Sequence, residues 1–346
     1  MRRSRFNYLE TMNLRIASTA YAVPPEVETA EAVMSCEKER VEAALRPLTS
    51  RRRQKVMAGL GLDHLHVCGE KQPYDLLREA AGKCLSEAAV RASDVDLIIE
   101  FSTLPGHKHQ YSSFAHRLSA DLGAESSLIL SFKIGGCGGL HLALKTATAL
   151  MSADPSLRTG LLVTADSPPR GSRSLLPITV QGDAGSAVLL RRDAGGGPLL
   201  LGTEVLTLGY LHDLIAFAGC ANGTDNFVIN VDSARIENEL MPIYHLNFHR
   251  LIHKLLDRVS LKVEDIDHVI YSNLSSTDQE GFAKVLGVPA GRVATPQLAE
   301  YGHTFSSDLV INYTDLRREG RIHPGQLLLF ASAGIGFTWG VTLARA

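Results

Sequence analysis

The chain has no apolar run close to the ~20 residues needed to cross a bilayer, and no CxxC pair among its five cysteines, Cys36, Cys68, Cys84, Cys137 and Cys220. An odd, scattered set offers neither a zinc framework nor a disulfide framework, which points to a reducing compartment. No sign of charge dominates: 35 Lys and Arg face 37 Asp and Glu, for a net charge of -2. A basic face for nucleic acid is therefore not expected. There is no P-loop, and no GxGxxG turn follows the first strand-like run. The basic start Met1-Arg2-Arg3-Ser4-Arg5 leads into polar residues rather than a signal core, so residues 1–13 read as a disordered leader and the protein as cytoplasmic. What is present is 346 residues, 45% hydrophobic and 21% charged. That suits a large core, in two domains or one duplicated unit.

Strand-like and helical runs alternate along the chain, the pattern of an α/β fold with covered sheets. Leu14–Ala17, Asp94–Ile99, Leu128–Phe132 and Leu161–Thr164 read as strands, with helices over Leu76–Arg91 and from Gly138 onward. The second half repeats this order, with a helix over Leu246–Val259. Val263–Ile270 echoes Ser93–Ile98, with Asp96 and Asp267 171 residues apart, and Gln326–Ala331 echoes Gly160–Ala165 at 166. Two echoes in one order suggest two related halves, residues 14–195 and 196–346.

The repeat brings two chemical residues into register. Cys137 lies in Gly135-Gly136-Cys137-Gly138-Gly139, and His303 lies 166 residues later, in Tyr301-Gly302-His303-Thr304. If the halves pack about a pseudo-twofold axis, these residues meet at the centre. A cysteine in a glycine-rich strand-to-helix turn sits at a positive helix N-terminus, where the thiolate is favoured. The plainer alternatives are a small residue filling a tight turn and a satisfied core histidine. His245, His249 and His253 recur at helical spacing with Asp257 after them, but no HExxH-type base accompanies them, so no metal site is expected.

Three segments carry a family resemblance. Gly135–Leu140 resembles the nucleophile turn of ketoacyl synthase III-like members of the thiolase superfamily. Gln181-Gly182-Asp183-Ala184-Gly185-Ser186-Ala187 is similar to the glycine-rich turn that follows it there. Ala331–Gly340 resembles the family's C-terminal glycine-rich signature. The likeness runs from about Leu14 to the C-terminus. It implies a five-layered αβαβα fold, acylation of Cys137 by a coenzyme A or acyl-carrier-protein thioester, and an oxyanion hole made by the backbone N–H groups of Cys137 and Ile335. Tyr111 falls where the family projects a residue across a homodimer into the partner's acyl pocket. No permanently bound cofactor is implied, because the CoA or phosphopantetheine thioester is a substrate carrier.

The departures matter equally. Ser272, followed by Asn273, stands at the family's histidine position, and His303 replaces the family's asparagine. The two-donor clamp for an enolate is thereby weakened, whereas a base for the thiol remains in His303, with Ser272 and Asn273 as neutral donors. Ile335 replaces a glycine, so its backbone must avoid conformations that favour glycine. The family's coenzyme A-gripping tryptophan and arginines are missing, with Thr277 at one arginine position. A carrier-protein donor is therefore attractive, met by Arg51, Arg52 and Arg53 or by Arg170 and Arg173. The leading expectation is an acyltransferase of specialised metabolism acting on a small-molecule acceptor. The alternatives are a decarboxylating 3-oxoacyl synthase, which forms a C–C bond, and a non-catalytic partner subunit of a heterodimer.

Overall fold

The computed structural model describes residues 13–69, 71–104, 113–132, 136–193, 195–219 and 227–346. Its main sheet contains β1 (Leu14–Ala22), β2 (Leu97–Glu100), β3 (Leu128–Ser131), β4 (Thr159–Asp166), β5 (Ala184–Arg192), β6 (Leu199–Thr207), β7 (His268–Tyr271), β8 (Val293–Ala294), β9 (Leu327–Gly334) and β10 (Thr338–Arg345). In space the order is β8-β7-β9-β10-β6-β1-β5-β4-β2-β3. Reading outward from the centre, each strand on one side matches the strand five later in the chain on the other. The senses match too: β1–β5–β4 and β6–β10–β9 are antiparallel, and β4–β2–β3 and β9–β7–β8 parallel. The two five-stranded leaves are joined by one backbone pair, Arg15 opposite Leu199.

Seven helices matter for the site: α1 (Ser50–Ala58), α2 (Pro73–Glu87), α3 (Phe114–Leu122), α4 (Gly139–Ala153), α5 (Met241–Val259), α6 (Ser276–Leu286) and α7 (Asp308–Arg318). Side chains alternate across a strand, and each leaf is apolar on both faces. Ile98, Leu161, Val163 and Leu189 pack on α2 and α3, whereas Leu97, Ile99, Leu162 and Leu190 join a core with α4 and α7. That core also takes Leu328 and Phe330 of β9, while their neighbours Leu327, Leu329 and Ala331 face α5 and α6. The result is five layers, αβαβα, with α4 and α7 in the middle.

The central layer explains why α7 is buried over most of its length. Several of its polar groups are met by neighbouring elements: Thr314 bonds Thr19 at 2.7 Å, and Asn312 Nδ2 donates to the Tyr271 carbonyl and to Asn273 Oδ1, both at 2.8 Å. Two helices begin earlier than their apolar spacing suggests. α5 starts at Met241 with Pro242 in its first turn, and α2 starts at Pro73, capped by Gln72 and Asp75. Pro73 suits a first turn because its missing N–H would have had no helical partner, whereas Pro242 follows a helical turn over Ile236–Leu240.

Candidate active site

Cys137 sits in a single 3-10 turn, Gly136–Gly138, that feeds directly into α4. The glycines around it are required by contact. Gly136 has φ +49, and a Cβ there would lie 2.5 Å from the Ile335 nitrogen. One on Gly139 would lie 2.9 Å from the Phe101 carbonyl oxygen. The turn is thus pressed against the β9–β10 hairpin, and only residues without a side chain allow it. Ser306 Oγ donates to the Gly136 carbonyl at 3.0 Å and Ser332 Oγ to that of Cys137 at 2.9 Å. With its backbone held, Cys137 directs its thiol, nearly buried, into a cavity.

His303 approaches from the other half. It follows Gly302, whose φ of +61 and close approach to Leu65 turn the chain sharply. Its Nε2 lies 3.1 Å from Cys137 Sγ. On the far side of the ring, Nδ1 lies 2.6 Å from Asp308 Oδ2, at the first residue of α7. An ionised carboxylate only accepts, so Nδ1 carries a proton and Nε2 is the atom that exchanges one with the Cys137 sulfur. Asp308 is fully buried and also accepts from Asn273 N at 2.8 Å, Thr304 N at 2.7 Å and Thr304 Oγ1 at 2.7 Å. Burial disfavours the charged imidazole, but the negative charges of Asp308 and Cys137 outweigh that and raise the His303 pKa well above its ordinary value. Thiol, imidazole and carboxylate thus form one chain of contacts, the arrangement in which a base can activate a nucleophile.

The cavity beside this line has a volume of about 230 Å³. Leu175, Ile178, Ile215, Leu240, Leu274 and Phe337 make most of its wall apolar. Its charged lining residues include Arg52 and Lys55 from α1 and Glu237, with Arg52 and Glu237 paired at 2.9 Å. His245 and Asp278, 2.9 Å apart, form a second His–carboxylate pair in the lining.

The residues singled out in the sequence fall in several places. Cys137 and His303 are together. Ile335 lines the cavity and has no positive φ; that conformation falls on Gly336, at +119. Ser272 and Asn273 are buried at the end of β7, but neither is among the cavity-lining residues, and Asn273 meets the site through its backbone N–H to Asp308. Tyr111 lies outside the described residues. Of the cations expected to meet a carrier, Arg173 is a correction: it is buried and bidentate on Asp183, at 2.6 and 2.9 Å, and has no free face. Arg53 is held by the carbonyls of Leu48 and Arg46, while Arg51 and Arg170 are exposed. His249 and His253 stack with ring centroids 4.2 Å apart, and His245 turns to the cavity instead.

The chain as a whole resembles known proteins. Residues 256–346 match the family model described as 3-Oxoacyl-[acyl-carrier-protein (ACP)] synthase III C terminal. A beta-ketoacyl-[acyl-carrier-protein] synthase III of Rhodospirillum rubrum is 30% identical over 298 residues, 83% of this chain and 88% of the relative. The chain belongs to the ketoacyl synthase III family. Its fold is also that of the 3-oxoacyl-[acyl-carrier-protein] synthase III of Aquifex aeolicus, with a TM-score of 0.80 at 21% identity, covering 96% of this chain and all of that one. ChlB3, described as an acyltransferase, superposes with a TM-score of 0.78 at 22% identity, over 96% of this chain and 97% of its own.

Within this synthase III fold, Asp308 is the partner of His303 that the sequence does not mark. The signal was a lone carboxylate five positions after His303, opening the apolar run Leu309-Val310-Ile311. A carboxylate in a helix's first turn reads as a favourable dipole interaction, so nothing marked it as the histidine's partner. Gln181 was passed over in the same way, as part of a glycine-rich signature.

Proposed function

We propose that this member of the synthase III family transfers acyl groups to oxygen or nitrogen of a small-molecule acceptor in specialised metabolism. Cys137 takes the acyl group from a coenzyme A or acyl-carrier-protein thioester, and His303 manages the protons. The single observation that carries this reading is the Cys137–His303–Asp308 line. Its chemistry runs in two steps. The thiol gives its proton to His303 Nε2 as sulfur attacks the donor carbonyl, and the carrier thiol leaves with that proton. The acceptor then gives its proton to Nε2 as it attacks the acyl-Cys137 carbonyl, and the Cys137 sulfur departs. Backbone N–H groups of Cys137 and Ile335 receive the developing oxyanion in both steps, where such a donor contributes roughly 3–4 kcal/mol.

Ser272 and Asn273 stay outside the lining, which favours transfer over decarboxylation: an enolate clamp needs side-chain donors that reach the substrate. The name carried by the Rhodospirillum relative supports the second reading, a condensing synthase. Incubation with a malonyl thioester labelled at its free carboxyl separates the two. Transfer keeps the label on the enzyme and in the product, whereas condensation releases it as carbon dioxide.

The Arg52 and Lys55 mouth suits the phosphates of a carrier arm or an acidic carrier protein. Edge strand β3 exposes Leu128 and half-buries Ile129 and Leu130, which fits pairing of two copies in a homodimer. The unpaired cysteines fit a cytoplasmic setting.

A further inference from the structure

Gln181 carries an unexplained polar group. Its residue is 1% exposed, it lines the cavity with Cys137 and His303, and neither Oε1 nor Nε2 has a hydrogen-bond partner among the described residues. Leaving both ends of a buried amide unmet forfeits the hydrogen bonds that water would have given them. Such a cost is retained where a ligand meets the groups. The main chain of Gln181 is fixed: its N–H donates to the Arg173 carbonyl at 2.9 Å and its carbonyl accepts from Arg173 Nη1 at 3.3 Å. Arg173 is itself locked on Asp183. Gln181 also pairs with His303 across an isolated parallel bridge. Neighbours in such a pair send their side chains to the same face, and both residues line the one cavity.

We infer that Gln181 holds the attacking heteroatom of the acyl acceptor against His303, and that the acceptor is therefore an alcohol or an amine. This rests on the acyl-transfer reading above. An alcohol gives its single proton to His303 Nε2, and its oxygen accepts from Gln181 Nε2 while a lone pair attacks the thioester carbonyl. A primary amine gives one proton to His303 and a second hydrogen bond to Gln181 Oε1. In either case the new bond to the carbonyl carbon forms, the C–S bond breaks, and the proton on His303 returns to the Cys137 sulfur. The carbon acid of a condensation has no hydrogen-bonding heteroatom at its nucleophilic centre and would gain nothing there.

The test separates acylation from discharge. Full-length enzyme and its Gln181→Leu and Gln181→Glu variants are loaded with a short acyl-coenzyme A. Intact mass then follows loss of the adduct to water, to 1,2-propanediol or to ethylamine. Gln181→Leu is expected to acylate at the wild-type rate and to discharge at least tenfold more slowly, to water included. Gln181→Glu, which keeps an acceptor but loses the donor, should spare discharge to ethylamine and slow discharge to 1,2-propanediol. Wild-type discharge rates in Gln181→Leu would overturn the inference and leave the acyl-transfer reading standing. Equal slowing of acylation and discharge would reduce Gln181 to packing. Wild-type enzyme that discharges only by condensing with a malonyl thioester would sink the reading itself.

Discussion

At the level of single residues, the account turns on Asp308, whose four accepted hydrogen bonds fix the imidazole's tautomer and direction. Asp308→Asn removes the charge that helps raise the His303 pKa, leaving burial to push it down. Acylation of Cys137 by an acyl thioester should fall by roughly 10²–10⁴, as expected when the orienting carboxylate of such a line is neutralised. Stopped-flow release of free coenzyme A measures it, and the NMR titration of the His303 ring should move to lower pH. Stability carries the same signature. The folded-state pKa of His303 lies above the unfolded value of about 6.5, so its contribution is full below that pH and is lost as pH rises through the folded value. The stability of wild type relative to His303→Gln should therefore decline with rising pH, as read by urea titrations. The thiol and the base were legible in the sequence, because glycines and a repeat offset marked them. Asp308 and Gln181 were not, because burial and the absence of a partner are properties of packing.

At the level of elements, two turns place the site, and both depend on glycine. Gly136→Ala would set a Cβ 2.5 Å from the Ile335 nitrogen, backbone against backbone, in a left-handed conformation. The hairpin must shift, and Ile335 with it. Loss of acylation by more than tenfold is expected, with a stability cost of roughly 1–3 kcal/mol from the strained conformation alone. Thermal melting beside the acylation assay checks both. The buried strands were readable as continuous apolar runs, since both of their faces are covered, and the helices from their apolar stripes. Their starts were less so: α5 continues directly from a wide helical turn over Ile236–Leu240, with Pro242 at the junction, while the apolar stripe becomes obvious only later. The misplaced Arg173 is the opposite case. It looked like part of a charged loop, and its Asp183 partner came from the glycine-rich turn ten residues away. Arg173→Ala would strand a buried carboxylate at a cost of about 3–5 kcal/mol, visible as a shifted urea midpoint.

For the whole molecule, the catalytic line exists only because two leaves share one helical layer. Cys137 enters from α4 and Asp308 from α7, and both helices pack in a core drawn from both leaves. We propose that these are two copies of one unit, with the boundary between β5 and β6 near residue 195. Leu144→Ala in α4 and Leu316→Ala in α7 should each cost about 2–5 kcal/mol, on one shared unfolding transition followed by calorimetry. This architecture was legible from the two echoes and from the glycine signatures. At the centre the sequence shows only a histidine gained and a histidine lost against the family pattern, not how their neighbours pack.

The most direct test is rapid-quench intact-mass analysis of wild type, Cys137→Ala and His303→Ala with one acyl-coenzyme A. Wild type should gain one acyl mass within the first turnover, Cys137→Ala none, and His303→Ala the same adduct at least a hundredfold more slowly. An adduct that persists in Cys137→Ala, or one that forms at an unchanged rate without the imidazole, would contradict the account.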